Sequence, residues 1–286
     1  MCFSQHNVMR LYKTKSGILI EHEKKFHLLQ DEQWDSFIND DDIYRKGLDS
    51  VRSHASIENI HSLLDSGLEP PIQSQELWAA GVTYARSKVG RQAESERTGG
   101  GDFYARVYEA ERPELFFKAT RHRIVGLGGK VRIRKDSSWN VPEPELTLVI
   151  SSSAKIVGYT IGNDMSSRSI EGENPLYLPQ AKTYDGCASI GPCIYISELP
   201  IAADTVIQLE ILRTRIPVCE GTVKLSQMRR TPEELVSFLF RESTFPYGCL
   251  LMTGTGIVPP NDFTLRSGDV IRITIEPIGV LENIVA

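Results

Sequence analysis

Two carboxylates stand two residues apart in Glu143-Pro144-Glu145, immediately before the apolar run Leu146-Thr147-Leu148-Val149-Ile150. In an extended chain, residues i and i+2 point to the same face. Pro142 and Pro144 remove two backbone donors and hold the segment extended, so Glu143 and Glu145 are expected to project toward one point. Asp164 comes nineteen positions after Glu145, beyond the alternating run Ile156-Val157-Gly158-Tyr159-Thr160-Ile161, and a neighbouring strand can bring it to the same point. Three acidic oxygens completed by water suit a hard cation, Mg²⁺ or Mn²⁺ with Ca²⁺ as a further option, rather than zinc. Lys182 lies in a proline-pinned stretch 18 residues after Asp164, expected as a loop. A nearby cation and burial both favour a neutral amine, which makes this lysine the acid–base candidate.

The elements that must position these groups are mostly strands. Short strands are expected at Val8 to Tyr12, Gly17 to Ile20 and Phe26 to Leu29, followed by helices at Trp34 to Ile38 and Ile57 to Leu64. Further strands are expected at Leu77 to Val82, Leu115 to Ala119, Val131 to Arg134, Val206 to Leu212, Pro217 to Lys224 and Val270 to Ile275. A helix should start at Thr231-Pro232-Glu233-Glu234. Between the strands, residues 85 to 97 are helix-forming and carry Arg86, Lys88, Arg91 and Arg97, ahead of Thr98-Gly99-Gly100-Gly101-Asp102. That pattern reads as a flap hinged at glycines whose arginines capture an anionic substrate. The small-residue turn Thr253-Gly254-Thr255-Gly256 offers backbone N–H groups and hydroxyls to a carboxylate.

Other signals are weaker. Asp40-Asp41-Asp42 reads as a solvated turn or helix start, since adjacent aspartates diverge. His54 and His61 lack a third ligand nearby, and Gly126-Leu127-Gly128-Gly129 lacks the lysine and helix of a phosphate loop. The 286 residues, with a formal charge of -5 and no basic tail, argue against a nucleic-acid partner. No apolar run approaches the roughly 18 residues of a membrane span. Five scattered cysteines fit free thiols of a cytoplasmic protein. The breaker-rich Asp65 to Pro71 suggests a small N-terminal α/β domain over 1–72 and a catalytic domain over 73–286, in an α+β, mostly β fold.

Several motifs together resemble the fumarylacetoacetate hydrolase superfamily: Gly81-Val-Thr83-Tyr84, Phe116-Phe-Lys-Ala, Glu143-Pro-Glu145-Leu, Gly158-Tyr-Thr-Ile-Gly-Asn-Asp164-Met-Ser-Ser-Arg168, Ala181-Lys182-Thr-Tyr-Asp and Thr253-Gly-Thr255-Gly. The resemblance implies a mixed β-roll, a divalent ion on Glu143, Glu145 and Asp164, a small 2-oxo acid or diketone substrate, and a homo-oligomer. Hydrolases of that superfamily carry His and Glu on the flap helix, where they activate water; here Thr83-Tyr84 runs into Arg86, Ser87, Lys88 and Gly90. Arg112-Pro-Glu114-Leu-Phe-Phe-Lys-Ala-Thr, Trp139-Asn-Val-Pro-Glu-Pro-Glu-Leu and Glu173-Asn-Pro-Leu-Tyr-Leu-Pro-Gln instead resemble the branch that dehydrates 2-keto-3-deoxy pentonates. The expected reaction is loss of water from 2-keto-3-deoxy-D-arabinonate to give 2,5-dioxopentanoate. Lys182 would be its base and Glu114 its acid, with Thr83, Tyr84, Arg86, Thr253 and Thr255 around the substrate. Other superfamily reactions, namely acylpyruvate hydrolysis, decarboxylation and hydration, and a non-catalytic sugar-acid-binding protein are the alternatives.

Overall fold

The computed structural model describes residues 8–65, 67–95 and 101–286. An eleven-stranded sheet forms its backbone. From one edge the strands run Ser56–Ile57, Lys25–Leu29, Gly17–His22, Val8–Thr14, Ala188–Ser197, Ile156–Asp164, Pro144–Ile150, Cys249–Met252, Glu76–Gly81 and Glu114–Ala119, with Ile124–Val125 paired to Ala188–Ser197 off this path. Pairing is antiparallel except where Cys249–Met252 meets Glu76–Gly81 and where Ile124–Val125 meets Ala188–Ser197. A second, five-stranded sheet is ordered Ile216–Lys224, Val206–Arg213, Val270–Ile275, Gly279–Val285, Lys130–Val131.

The alternation in sequence explains how the two sheets meet. Ile207, Leu209 and Ile211 of one strand and Ile271, Ile273 and Ile275 of its neighbour are buried, while the residues between them are less so. They share one core with Leu146, Leu148 and Ile161 of the large sheet. The large sheet's opposite face packs on Trp34, Phe37 and Ile38 of the helix Trp34–Ile38, through Val149, Ile190 and Leu250. Pro144–Ile150 is buried along its whole length, with layers on both sides, which is why it reads as a continuous apolar run.

The mostly β roll with peripheral helices matches the expected fold class. The N-terminal strands extend the same sheet, since Val8 to Leu11 pair with Ile194 to Ser197, and Met9, Leu11 and Ile20 share a core with Leu77, Val149 and Ile190. Two local expectations change. The helix expected at Ile57 to Leu64 begins later, at His61–Asp65, after the short strand Ser56–Ile57. His54 caps the preceding helix, Ile43–Ser53. The strand expected at Val131 to Arg134 is confined to Lys130–Val131. The glycine hinge of the expected flap lies partly in 96–100, outside the described residues; helices Ala85–Ser95 and Gly101–Glu109 flank it. Among the described residues, no helix is long and apolar enough to cross a membrane.

Candidate active site

The register of two central strands assembles the carboxylates. Glu143 and Asp164 exchange both backbone hydrogen bonds, at 3.1 and 2.9 Å, and the ladder continues with Pro144 opposite Asn163 and Glu145 opposite Gly162. Residues directly opposite on an antiparallel pair send their side chains to the same face, and Glu145 lies two residues along that face from Glu143. All three carboxylates are buried, and each offers an oxygen within 4.8 Å of the others.

Lys182 closes the cluster. It ends the short helix Leu178–Lys182, which follows the single turn Pro175–Tyr177, so the stretch expected as a loop is helical. Pro175 and Pro179 sit in the first turns of these two elements, where proline's missing N–H costs nothing. Its Nζ donates to Glu143 Oε2 at 2.5 Å, Asp164 Oδ2 at 2.9 Å and Ser166 Oγ at 2.6 Å. Arg168 Nη2 donates to the other oxygen of Glu143 at 2.6 Å. Glu171, also buried, lies 3.8 Å from both Lys182 Nζ and Arg168 Nε. Ser169 Oγ is bonded to Ser137 Oγ at 2.9 Å, and Glu171 is the carboxylate near Arg168.

Lys118 supplies a further buried cation. It lies on Glu114–Ala119, with Nζ 2.5 Å from Asp164 Oδ1 and 2.9 Å from the Met165 carbonyl. Glu145 takes a hydrogen bond from the Gly254 N–H at 2.6 Å. The small-residue turn thus does hold a carboxylate, and it is the protein's own. Burial first, then Asp164 and Glu143, push the Glu145 carboxyl well above the ordinary carboxylate range. Three buried carboxylates that converge on one point form an oxygen-rich donor set, which a divalent cation fits.

The carboxylates face a cavity of about 10 Å³, room for one small ion or water. Lys182 lines it too, with Gly81, Val82, Ser87, Phe116 and Thr255 among the other walls. Val82 lies in the left-handed region at φ 54°, a strained state for a β-branched residue that costs on the order of 1–3 kcal/mol. Glu114 pairs across the strands with Gly81 and lines a wider groove of about 580 Å³ with Tyr104, Leu115, Asn174 and Leu176. A larger cavity of about 950 Å³, near Tyr44, Ile156, Leu199 and Val236, contains none of the cluster's groups, so side-chain chemistry and not volume locates the site.

The other expected substrate contacts divide. Thr255 lines the cavity, with its hydroxyl donating to the Ile257 carbonyl at 3.2 Å. Tyr84 is buried, and burial followed by the charge of Glu145 raises its phenol. Thr83 donates to the Thr253 carbonyl at 2.7 Å and Thr253 to the Leu146 carbonyl at 2.9 Å. Their hydroxyl protons tie strand ends together, which leaves the oxygen lone pairs of these two side chains for any further partner. Arg86 is exposed and does not line the cavity, because it lies on the solvent side of its helix. Lys118 and Glu171 join the cluster without belonging to the carboxylate pair or its motif. The signal for Lys118 was a charge inside the apolar run Leu115 to Ala119, on the same strand face as Glu114.

Fold and site together define a metal-dependent enzyme built on a mixed β-roll. The chain belongs to the fumarylacetoacetate hydrolase family: residues 78–286 match the family described as "Fumarylacetoacetate (FAA) hydrolase C-terminal". It is 46% identical over 223 residues to the "Probable 2-keto-3-deoxyxylonate dehydratase" of Haloferax volcanii, covering 78% of this chain and 76% of that one. It is 43% identical over 221 residues to the "2-dehydro-3-deoxy-D-arabinonate dehydratase" of Saccharolobus solfataricus, covering 76% and 74%. A solved structure of 2-keto-3-deoxy-D-arabinonate dehydratase complexed with magnesium and 2,5-dioxopentanoate superposes with a TM-score of 0.81 at 35% identity, over 98% of both chains.

Proposed function

We propose that this protein is a Mg²⁺-dependent dehydratase that converts 2-keto-3-deoxy-D-arabinonate into 2,5-dioxopentanoate and water. The observation that carries the reading is Lys182, fully buried with its amine held between two of three clustered carboxylates. The relatives support the substrate class. Xylonate and arabinonate of one series differ only at C2 and C3, the centres that become the carbonyl and the methylene, so both relatives' names converge on one 2-keto-3-deoxy acid.

Glu143, Glu145 and Asp164 would hold the ion, which supplies Lewis acidity to the carboxylate and 2-oxo oxygens of the substrate and so makes the C3 proton acidic. The Lys182 amine removes that proton. Glu114, at the mouth of the wider groove, gives a proton to the C4 hydroxyl, which leaves as water. This leaves a C3–C4 double bond conjugated to the 2-oxo group; a proton then moves from C5 to C3 to give the C4–C5 enol, and the enol's hydroxyl proton moves to C4 as the aldehyde forms. Base and acid must hold opposite protonation states at one pH, so their environments have to displace them toward each other. Tyr84 and Thr255 bound the substrate from the flap side and the turn. The described cysteines, Cys187, Cys193, Cys219 and Cys249, are free thiols, in keeping with a cytoplasmic enzyme. The homo-oligomeric state rests on the family resemblance.

The test is turnover of 2-keto-3-deoxy-D-arabinonate by metal-reconstituted protein, with product detected through a coupled aldehyde dehydrogenase. Product that disappears with EDTA and returns with Mg²⁺ is expected. Lys182→Met should lower kcat by about 10²- to 10⁴-fold, the usual contribution of a general base. Silence from protein with demonstrably bound metal would reject the reading.

A further inference from the structure

We infer that Lys118 is a positioning residue that occupies one oxygen of Asp164, leaving the other to face the metal site, and anchors the backbone of Lys182. Its consequence for turnover rests on the dehydratase reading above; its effect on Asp164 does not. Lys118 is completely buried and shares a strand face with Glu114 and Phe116. Its ammonium donates to the Met165 carbonyl at 2.9 Å and to the carbonyl of Lys182, and is ion-paired with Asp164 Oδ1 at 2.5 Å. A buried cation so enclosed cannot swing away without leaving its charge unpaired, so the contacts are held firmly.

Two consequences follow from geometry. With Oδ1 taken by Lys118, Asp164 presents Oδ2 to the cluster, the oxygen on which Lys182 Nζ also sits at 2.9 Å. A cation there can take one oxygen of Asp164 and must complete its shell with water or substrate. The bond to the Lys182 carbonyl meanwhile ties the end of the helix Leu178–Lys182 to the strand that carries Glu114. One side chain therefore spaces the base, one metal ligand and the acid's strand.

The experiment compares wild type, Lys118→Met and Lys118→Gln loaded with Mn²⁺. The number of waters on the bound ion is read by water-proton relaxation, and turnover is read at saturating metal. In Lys118→Met, Asp164 is free to bind through both oxygens. The water count should therefore fall below wild type, and kcat should drop by about 10- to 100-fold, the range typical when the support of a metal ligand is removed. Lys118→Gln keeps an N–H donor for Oδ1 and should recover the wild-type water count and part of the turnover. An unchanged water count in Lys118→Met, or turnover equal to wild type, would overturn the assignment. So would a loss of turnover that added Mn²⁺ reverses. If neither variant folds, Lys118 belongs to the fold and the assignment is also overturned. The water count needs no substrate, so a wild-type protein silent on the sugar acid would reject the dehydratase reading and leave this one to its own measurement.

Discussion

Glu145 is the carboxylate of the cluster on which charge presses hardest. Its hydrogen bond comes from a backbone amide, whereas Glu143 and Asp164 each touch two cations. Burial raises its pKa first, and the two neighbouring carboxylates raise it further. The metal-free folded protein therefore keeps this proton to higher pH than the unfolded chain, which releases it near the ordinary glutamate value of about 4.3. A raised acid contributes stability that is fully present below the unfolded-state pKa and is lost as pH rises through the folded one. In EDTA the melting temperature should fall as pH is taken from about 5 toward 8, and Mg²⁺ should restore more of it at the upper end. Calorimetric titration in two buffers of different ionisation enthalpy should show protons released as Mg²⁺ binds. A flat or rising melting curve in EDTA would show that Glu145 is already ionised.

At the level of elements, the site depends on how closely two strands approach. Gly81 lies opposite Glu114, and a Cβ there would sit 1.9 Å from Glu114 Oε2. The obstructed atom is the far end of a flexible side chain, so Gly81→Ala should move the carboxylate and spare the sheet. The expected result is a melting temperature close to wild type with kcat reduced about 10²-fold, the effect of misplacing a catalytic group by an ångström. Unchanged turnover would remove Glu114 from the acid's role. Gly254 serves a similar purpose in the turn that reaches Glu145. Its φ of +91° is one that only glycine adopts easily, and its missing side chain makes room for Thr83 Oγ1.

Across the whole molecule, the N-terminal strands and the roll are hydrogen-bonded into one sheet and share one of its cores. We expect them to unfold together. Leu11, fully buried against that shared core, should cost about 2–5 kcal/mol when truncated to alanine. In guanidinium titration, tryptophan fluorescence and far-ultraviolet dichroism should move in one coincident transition, at lower midpoint than wild type. Trp34 lies in the N-terminal part and Trp78 and Trp139 in the roll. Two separated transitions would instead mark residues 1–72 as an independently stable domain.

The sequence by itself determined most of the strands, and it singled out the three carboxylates and the lysine that the structure brings together. Alternation with period two survives in any single strand, and Glu143-Pro144-Glu145 declares a shared face without help from the rest of the chain. The motifs beyond it placed the chain among its relatives. Tertiary structure decided what depends on register and on contacts between distant segments. Opposition of Glu143 to Asp164 needs the ladder between Pro144–Ile150 and Ile156–Asp164. Lys118 reaches Asp164 across 46 positions, and Glu171 joins Arg168 to Lys182 only once a short helix turns its side chain inward. Thr83 and Thr253 give their hydroxyl protons to backbone carbonyls that no local pattern reveals. A residue's type states what it can donate or accept; which partner takes it is set by packing, because a buried polar group must be satisfied by whatever the fold brings within reach.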